Sequence, residues 1–321
     1  MRISSNATYN DFIKNLGSNA IKVQKTLNQI SSLKEVSQSS DNPLLVSKIM
    51  NLNVSIAKNK TFSSEIKDSQ GWVDTQASAL KGVNDSMGNI RRLISHSANG
   101  TQGVDEIKAN KNEIQQEIQG MVEALNTNFD GRYIFGGVKT TEQPFSVVRG
   151  TIDADGAVIE NPTGEIVGIK YNGSNTEITR EIADGVVVTL PTNGEKIIGT
   201  GDTGMSSFFT DLMGTMNEYI ASTPPDDSKL ASLSGKLDGF DKLSNTVIDF
   251  QTQLDAIAVR LRSAGDRNES DKLSLTATLS ERQDVDVAEK YMEYQNQMLA
   301  YQATMSMGTK IMQTSILDYV R

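Results

Sequence analysis

Residues 284–321, DVDVAEKYMEYQNQMLAYQATMSMGTKIMQTSILDYVR, decide the fold. Steps of four and three from Val287 place Tyr291, Tyr294, Met298, Tyr301, Met305, Gly308, Met312, Ser315 and Tyr319 on one seam, the a/d spacing of a coiled-coil helix. Uncharged polar residues such as Gln295, Asn296, Gln302 and Thr309 cover the other faces, and no charged residue occurs between Glu293 and Lys310. A helix that faces water usually carries Lys and Glu there, so this one is expected to pack against protein on more than one side.

The opposite end of the chain supplies a partner. Tyr9, Ile13, Leu16, Ala20, Val23, Leu27 and Ile30 repeat at the same spacing, with Phe12 and Leu33 flanking them. An isolated helix of this kind is marginal in water, because nucleation is costly and stability comes from burying the stripe. Each large apolar side chain buried contributes about 1.5–3 kcal/mol before ordering entropy is subtracted, so the two arms gain most by pairing. The chain is expected to run out, turn and return.

Composition narrows the function classes. Of 321 residues, 37% are hydrophobic and 6% aromatic, lean for a compact enzyme but natural for slender helical bundles. The net charge of -9 opposes binding to nucleic-acid phosphates. With no cysteine, neither a disulfide framework nor a thiolate metal site can form. The N-terminus lacks the basic, apolar and small-residue sequence of a cleaved secretory signal, and no apolar run approaches the roughly 20 residues needed to span a bilayer.

Between the arms the period changes twice. Asn42 is placed to cap a helix and Pro43 suits its first position, opening a long helical run with Leu45, Ile49, Leu52, Ile56, Ile66 and Leu80 that stops near Asn99-Gly100. A third run from Val104 carries Ile107, Ile114, Ile118, Leu125 and Phe129 and ends at Asp130-Gly131. Alternation then takes over in Val167, Ile169 and Tyr171, in Ile178 and Ile182, and in Val186, Val188 and Leu190, the two-residue period of strands. Asp155-Gly156, Asn172-Gly173, Asp184-Gly185 and Asn193-Gly194 are dipeptides that tight hairpins favour. Helical spacing resumes near Met205, breaks at Pro224-Pro225, and runs on from Leu230 to the C-terminal arm, with Gly265 a point at which it can break.

This order implies a mainly α fold with a β insertion: an elongated helical rod, its termini paired as a coiled coil, with a small antiparallel β domain at the far end. Domains are expected at 1–42 with 284–321, at 43–137 with 204–283, and at 138–203.

Few residues point to chemistry. Gly199-Thr200-Gly201-Asp202-Thr203-Gly204 spells G-x-G-x-x-G, with Asp226 and Asp227 near the distance of a ribose-binding acid. A dinucleotide fold needs a second parallel strand after the helix, which the helical downstream segment does not supply, so the glycines read as a linker. Asp153, Asp155 and Gly156 resemble a calcium loop, but the glycine comes too early. His96 is the only histidine, which disfavours a transition-metal site or a Ser-His triad. No active site, cofactor or metal is expected.

Several stretches resemble the bacterial flagellin superfamily. They are Met1-Arg2-Ile3-Ser4 with Tyr9, Ser40-Asp41-Asn42-Pro43, and Asn99-Gly100-Thr101. Further along come Gly131-Arg132-Tyr133-Ile134-Phe135-Gly136-Gly137 with Pro144-Phe145, and Glu181-Ile182-Ala183-Asp184-Gly185-Val186. Their order along the chain is more specific than any one of them, and the Tyr-Ile-Phe-Gly-Gly motif and the N-terminal start resemble the subunits that join hook to filament. Only about 200–230 is left without a counterpart.

The resemblance implies a structural, flagellin-like protein of the extracellular flagellum, needed for filament assembly and motility. It implies partners in the first hook-associated protein, flagellin and copies of the chain in a ring, and a cytosolic export chaperone and the flagellar type III apparatus before that. The assembly interface is expected on Tyr9, Ile13, Leu16, Val23, Leu27, Ile30, Tyr291, Tyr294, Met298, Tyr301, Met305, Met312 and Tyr319. The competing readings are a flagellin filament subunit, a type III secreted coiled-coil translocator and, last, a dinucleotide-dependent enzyme.

Overall fold

The structure is a computed structural model that describes residues 2–99, 102–153, 158–222 and 227–317. Among the described residues there are seven helices: α1 (Arg2–Ser32), α2 (Pro43–Ser97), α3 (Val104–Leu125), α4 (Glu195–Ile198), α5 (Met205–Ala221), α6 (Asp227–Gln283) and α7 (Val287–Leu317). Between α3 and α4 the described residues form seven strands: β1 (Asn128–Phe129), β2 (Arg132–Tyr133), β3 (Phe145–Ile152), β4 (Val158–Glu160), β5 (Glu165–Tyr171), β6 (Ile178–Ala183) and β7 (Val186–Leu190). The chain forms two compact units, Met1–Lys60 with Ser270–Arg321, and Thr61–Glu269.

Local chemistry sets the helix boundaries. The Leu45 amide donates to Asn42 Oδ1 at 3.1 Å, so Asn42 caps α2 and Pro43 occupies the first turn as its spacing implies. Asp286 does the same for α7, its Oδ1 accepting from the Ala288 and Glu289 amides at 2.9 and 3.2 Å. Helix α6 runs through Gly265 unbroken. One glycine costs only about 1 kcal/mol in a helix interior, and here the neighbours are Ile66 and Gln70 on α2.

In the larger unit, one apolar core joins α2, α3, α5 and α6. Leu80, Val83 and Ile90 meet Ile114, Ile118 and Leu125, then Phe209 and Met213, then Phe240, Val247 and Leu254, all buried. The sheets are small and antiparallel, ordered β4-β3-β5, β6-β7 and β1-β2. Strand β5 is buried on both faces from Ile166 to Ile169. The element that covers it is α5, which falls in the stretch that had no sequence counterpart; its Thr210 hydroxyl donates to the Val167 carbonyl at 3.0 Å.

The turns differ from the dipeptide reading in three places. Phe129, read as the end of α3, instead sits in β1, because Asp130 and Gly131 take φ of 51° and 74° and fold the chain straight back into β2. Its ring packs edge-on to Trp72, 6.1 Å between centroids, over Gly71, where a β-carbon would come within 2.9 Å of it. Asp184-Gly185 makes the β6-β7 hairpin as expected, with Gly185 at φ 73°. Asn172-Gly173 and Asn193-Gly194 close no hairpin: the first links β5 to a different sheet, and the second starts α4, where Asn193 Oδ1 accepts from the Glu195 amide at 2.9 Å. Asp155-Gly156, Gly100-Thr101 and Pro224-Pro225 lie outside the described residues.

The Tyr133–Gly137 motif earns its place by packing. Ile134 and Phe135 are fully buried, and Gly136 bridges Asn193 across the point where the chain leaves the β region. Gly137 has φ 63°, and a β-carbon there would come within 2.1 Å of the Ser174 carbonyl oxygen.

Candidate assembly interface

Helices α1 and α7 pair antiparallel within the smaller unit, as the matched stripes imply. Asn19 Nδ2 donates to Thr304 Oγ1 at 3.0 Å, the Thr26 hydroxyl donates to Gln297 Oε1 at 2.8 Å, and the Lys290 ammonium lies 3.3 Å from Glu35. At the far end of the pair, Gly308 accommodates the Phe12 ring.

The seam is rotated from the apolar stripe. Along the seam the shielded positions on α1 are Phe12, Leu16, Asn19, Val23, Thr26 and Ile30, with Gln29 buried beside Ile30; on α7 they are Lys290, Tyr294, Gln297, Tyr301, Thr304 and Gly308. Both sets keep the four-three spacing, but each shares only alternate positions with the stripe read from sequence. Leu16, Val23, Ile30, Tyr294 and Tyr301 stay in the seam, and Met298 is half-buried beside Gln297. Tyr9, Ile13, Leu27, Tyr291 and Met305 do not: they are 46%, 46%, 39%, 55% and 47% exposed. The side chain of Met312 and the whole of Tyr319 lie outside the described residues.

Apolarity alone could not find the rotation, because the positions that replace Ile13, Leu27, Tyr291 and Met305 are mostly polar. Asn19 and Thr26 face Thr304 and Gln297, and their hydrogen bonds make burial tolerable. The available signal was pairwise: polar residues that recur at seven on one helix and have complements at seven on the other. What the arrangement leaves is an exposed apolar flank on each arm, the kind of surface that marks a protein contact.

Charge closes the base of the pair. The Glu35 amide donates to the Gln283 carbonyl at 2.8 Å and the Val285 amide to the Leu33 carbonyl at 3.2 Å, a short antiparallel clasp in which Leu33 adopts φ 57°. Burial pushes the Lys290 ammonium towards neutrality, but its hydrogen bonds to Glu293 and Glu35 outweigh burial and raise its pKa. The Lys25 ammonium, 3.2 Å from Asp41, holds that carboxyl below the usual range through a hydrogen bond.

The chemical motifs have structural occupations. Gly199 and Gly201 take φ of 68° and 69° around a single 3-10 turn, Gly201–Thr203, and Gly204 caps α5. Among the described residues every paired strand is antiparallel, so these glycines serve no parallel strand–helix unit. His96 is exposed, with Gln102 Nε2 3.4 Å from its ring Nε2. The acidic loop around Asp155, and Asp226 of the acidic pair, lie outside the described residues. Among the described residues no helix is long and apolar enough to cross a membrane.

Comparison with known proteins agrees with the motif order. Residues 3–140 match the bacterial flagellin N-terminal helical region. Flagellar hook-associated protein 3 of Escherichia coli K12 is 24% identical, and the match covers 99% of each chain. A flagellin of Salmonella oranienberg is 23% identical over 58% of this chain but only 36% of its own length. Among solved structures, the flagellar junction protein of Legionella pneumophila superposes with a TM-score of 0.57 at 13% identity, covering 74% of this chain and all of its own, which shows a shared fold. Residues 3–140 are therefore similar to the N-terminal helical region of the bacterial flagellins, and the chain is similar from end to end to flagellar hook-associated protein 3.

Proposed function

We propose that this chain is a non-enzymatic structural adaptor that joins the flagellar hook to the flagellin filament and is required for filament assembly and motility. The observation that carries the reading is coverage: the match to hook-associated protein 3 runs over 99% of both chains, whereas the match to flagellin leaves most of the flagellin unaccounted for. The adaptor reading needs a subunit that meets two different neighbours, and exposed apolar flanks on both arms supply contact surface.

In this reading the neighbours are the first hook-associated protein on one side, flagellin on the other, and further copies of the chain around a ring. The chain reaches them outside the cell through the flagellar type III export apparatus, held by a cytosolic chaperone beforehand. The arms, 1–42 with 284–321, make the assembly contacts. Leu16, Val23, Ile30, Tyr294 and Tyr301 hold the arms together, and Tyr9, Ile13, Leu27, Tyr291 and Met305 meet the neighbours, with Met298, Met312 and Tyr319 extending the same stripe. The division into a helical part, 43–137 with 204–283, and a β-rich part, 138–203, belongs to the same proposal.

Complementation tests it. Leu27→Asp and Met305→Asp place a carboxylate on the exposed flanks without touching the polar seam. A strain whose only copy carries either change is expected to secrete the protein yet lack attached filaments and fail to swim. Wild-type filaments on both variants would sink the interface assignment. Filaments on a strain lacking the whole chain would sink the adaptor reading itself.

A further inference from the structure

We infer that a polar ladder through the α1–α7 seam, centred on Thr26 and Gln297, fixes the register in which the two arms pair. The ladder is continuous. Thr26, 3% exposed, donates to Gln297 Oε1 at 2.8 Å; Gln297 Nε2 donates to Glu293 Oε1 at 2.9 Å; the Lys290 ammonium joins Glu293 Oε2 at 3.2 Å to Glu35 Oε1 at 3.3 Å. A second rung lies further along, where Asn19 Nδ2 donates to Thr304 Oγ1 at 3.0 Å and the Thr304 hydroxyl passes its own proton to the Ala300 carbonyl at 2.8 Å.

The heptad-spaced apolar seam residues cannot set register by themselves; Phe12 against Gly308 and the backbone clasp at Glu35 mark it at the two ends of the pair, and the ladder acts between them. Leu16, Val23 and Ile30 recur every seven residues, and so do Tyr294 and Tyr301, so sliding α7 by one heptad, about 10 Å, meets another apolar set. The polar residues make the slid states unequal. A slip carries Thr26 from Gln297 to face Thr304 or Lys290, and it parts Lys290 from Glu35. The Thr26 hydroxyl keeps the Lys22 carbonyl, 3.1 Å away on its own helix, in any register, so the cost of a slip falls on the cross-helix partners Gln297, Asn19 and Lys290; a few polar seam residues specify register in this way at some expense in stability. The ladder therefore trades stability for a single alignment. Register is a property of the isolated chain and does not depend on the assembly reading. Its consequence does: alignment decides how Tyr9, Ile13 and Leu27 on one arm stand relative to Tyr291 and Met305 on the other.

The chain has no cysteine, so distance labels can be placed at will. Ile21→Cys and Met292→Cys, at positions 70% and 62% exposed, outside the seam and well separated along the pair, carry nitroxide labels on the full chain, and the distance between them is read by electron spin resonance. The expected result is one narrow distance with the ladder intact, and a second population, several ångströms longer or shorter as α7 slides about 10 Å along the pair, with helicity kept, after Thr26→Val with Gln297→Leu. Thr26→Ser, which keeps the hydroxyl, is expected to restore the single distance. One unchanged distance in the apolar double variant overturns the inference, as does a multiple distribution in the unsubstituted ladder or a Thr26→Ser variant that slips like the apolar double variant. A failure of the assembly reading would leave these distances untouched.

Discussion

Phe12 of α1 and Gly308 of α7 interlock so closely that a β-carbon on Gly308 would come within 2.2 Å of the ring Cζ and 2.9 Å of Cε1. The ring is half-buried against helix backbone, which only a residue without a side chain permits. Gly308→Ala raises the intrinsic helix propensity of α7 but forces the ring out of its place. We expect overpacking to win, loosening this end of the arm pair by about 1 kcal/mol net. Hydrogen exchange at the amides around Phe12 should speed up while those around Ile30 hold; unchanged exchange at Phe12 would refute the packing argument.

How far the sequence could be read depends on which residues carry the information. The long helices and the arm pairing are legible because Leu16, Val23, Ile30, Tyr294 and Tyr301 repeat without interruption, and the start of α2 is legible because Asn42 and Pro43 are strong local signals. The rotation of the seam is not, since it rests on Asn19, Thr26, Gln297 and Thr304, whose value comes from partners more than 270 residues away. The same applies to Asn193-Gly194. Its local turn preference yields to the buried contact with the Tyr133–Gly137 motif, tertiary packing overriding a dipeptide propensity. Helix α5 was legible only as a resumption of spacing at Met205; that it covers β5 follows from contacts no local pattern records.

Lys111 is a buried cation whose three donors are all used: Glu165 Oε1 and Oε2 at 2.7 and 2.8 Å, and Asn217 Oδ1 at 2.7 Å. It ties α3 to β5 and α5. The lysine side chain is 6% exposed but Glu165 is 44% exposed, so the carboxylate can recover water when its partner goes. Lys111→Met, which keeps most of the stem, should therefore cost about 1–2 kcal/mol, below the value for a fully buried pair. Lys111→Ala should cost more through the cavity. Thermal unfolding of the full chain checks the order; Met as costly as Ala would mean that charge, not packing, dominates.

Acid should act at Asp41. Its carboxyl pKa is depressed chiefly by the hydrogen bond from Lys25, so the folded chain holds that proton less tightly than the unfolded chain does. The contribution is fully present above the ordinary value of 3.8 and is lost as pH falls through the lowered folded value. A carboxyl titration followed by NMR should place the Asp41 midpoint below that of an exposed aspartate, and Lys25→Met should return it upward. A midpoint indifferent to Lys25→Met would remove the ion pair as its cause.

Gln76, fully buried on α2, donates from Nε2 both to the Ile134 carbonyl at 3.0 Å and to the Pro191 carbonyl at 2.8 Å. One side chain thus fastens the segment by which the chain enters the β region and the segment by which it leaves, beside the Gly136–Asn193 bridge. Gln76→Met fills similar space but donates nothing, and each buried carbonyl left unpaired costs about 1–3 kcal/mol, partly offset because the Gln76 Oε1 has no partner among protein atoms either. We expect a net loss of about 2 kcal/mol, with exchange quickening at the Gly137 and Gly194 amides, which bond across the same junction to Thr192 and Phe135. Gln76→Glu should be worse, since a carboxylate adds buried charge and cannot donate to either carbonyl. If Gln76→Met matches the parent in stability and exchange, backbone packing of the Tyr133–Gly137 turn is sufficient and the glutamine clamp is redundant.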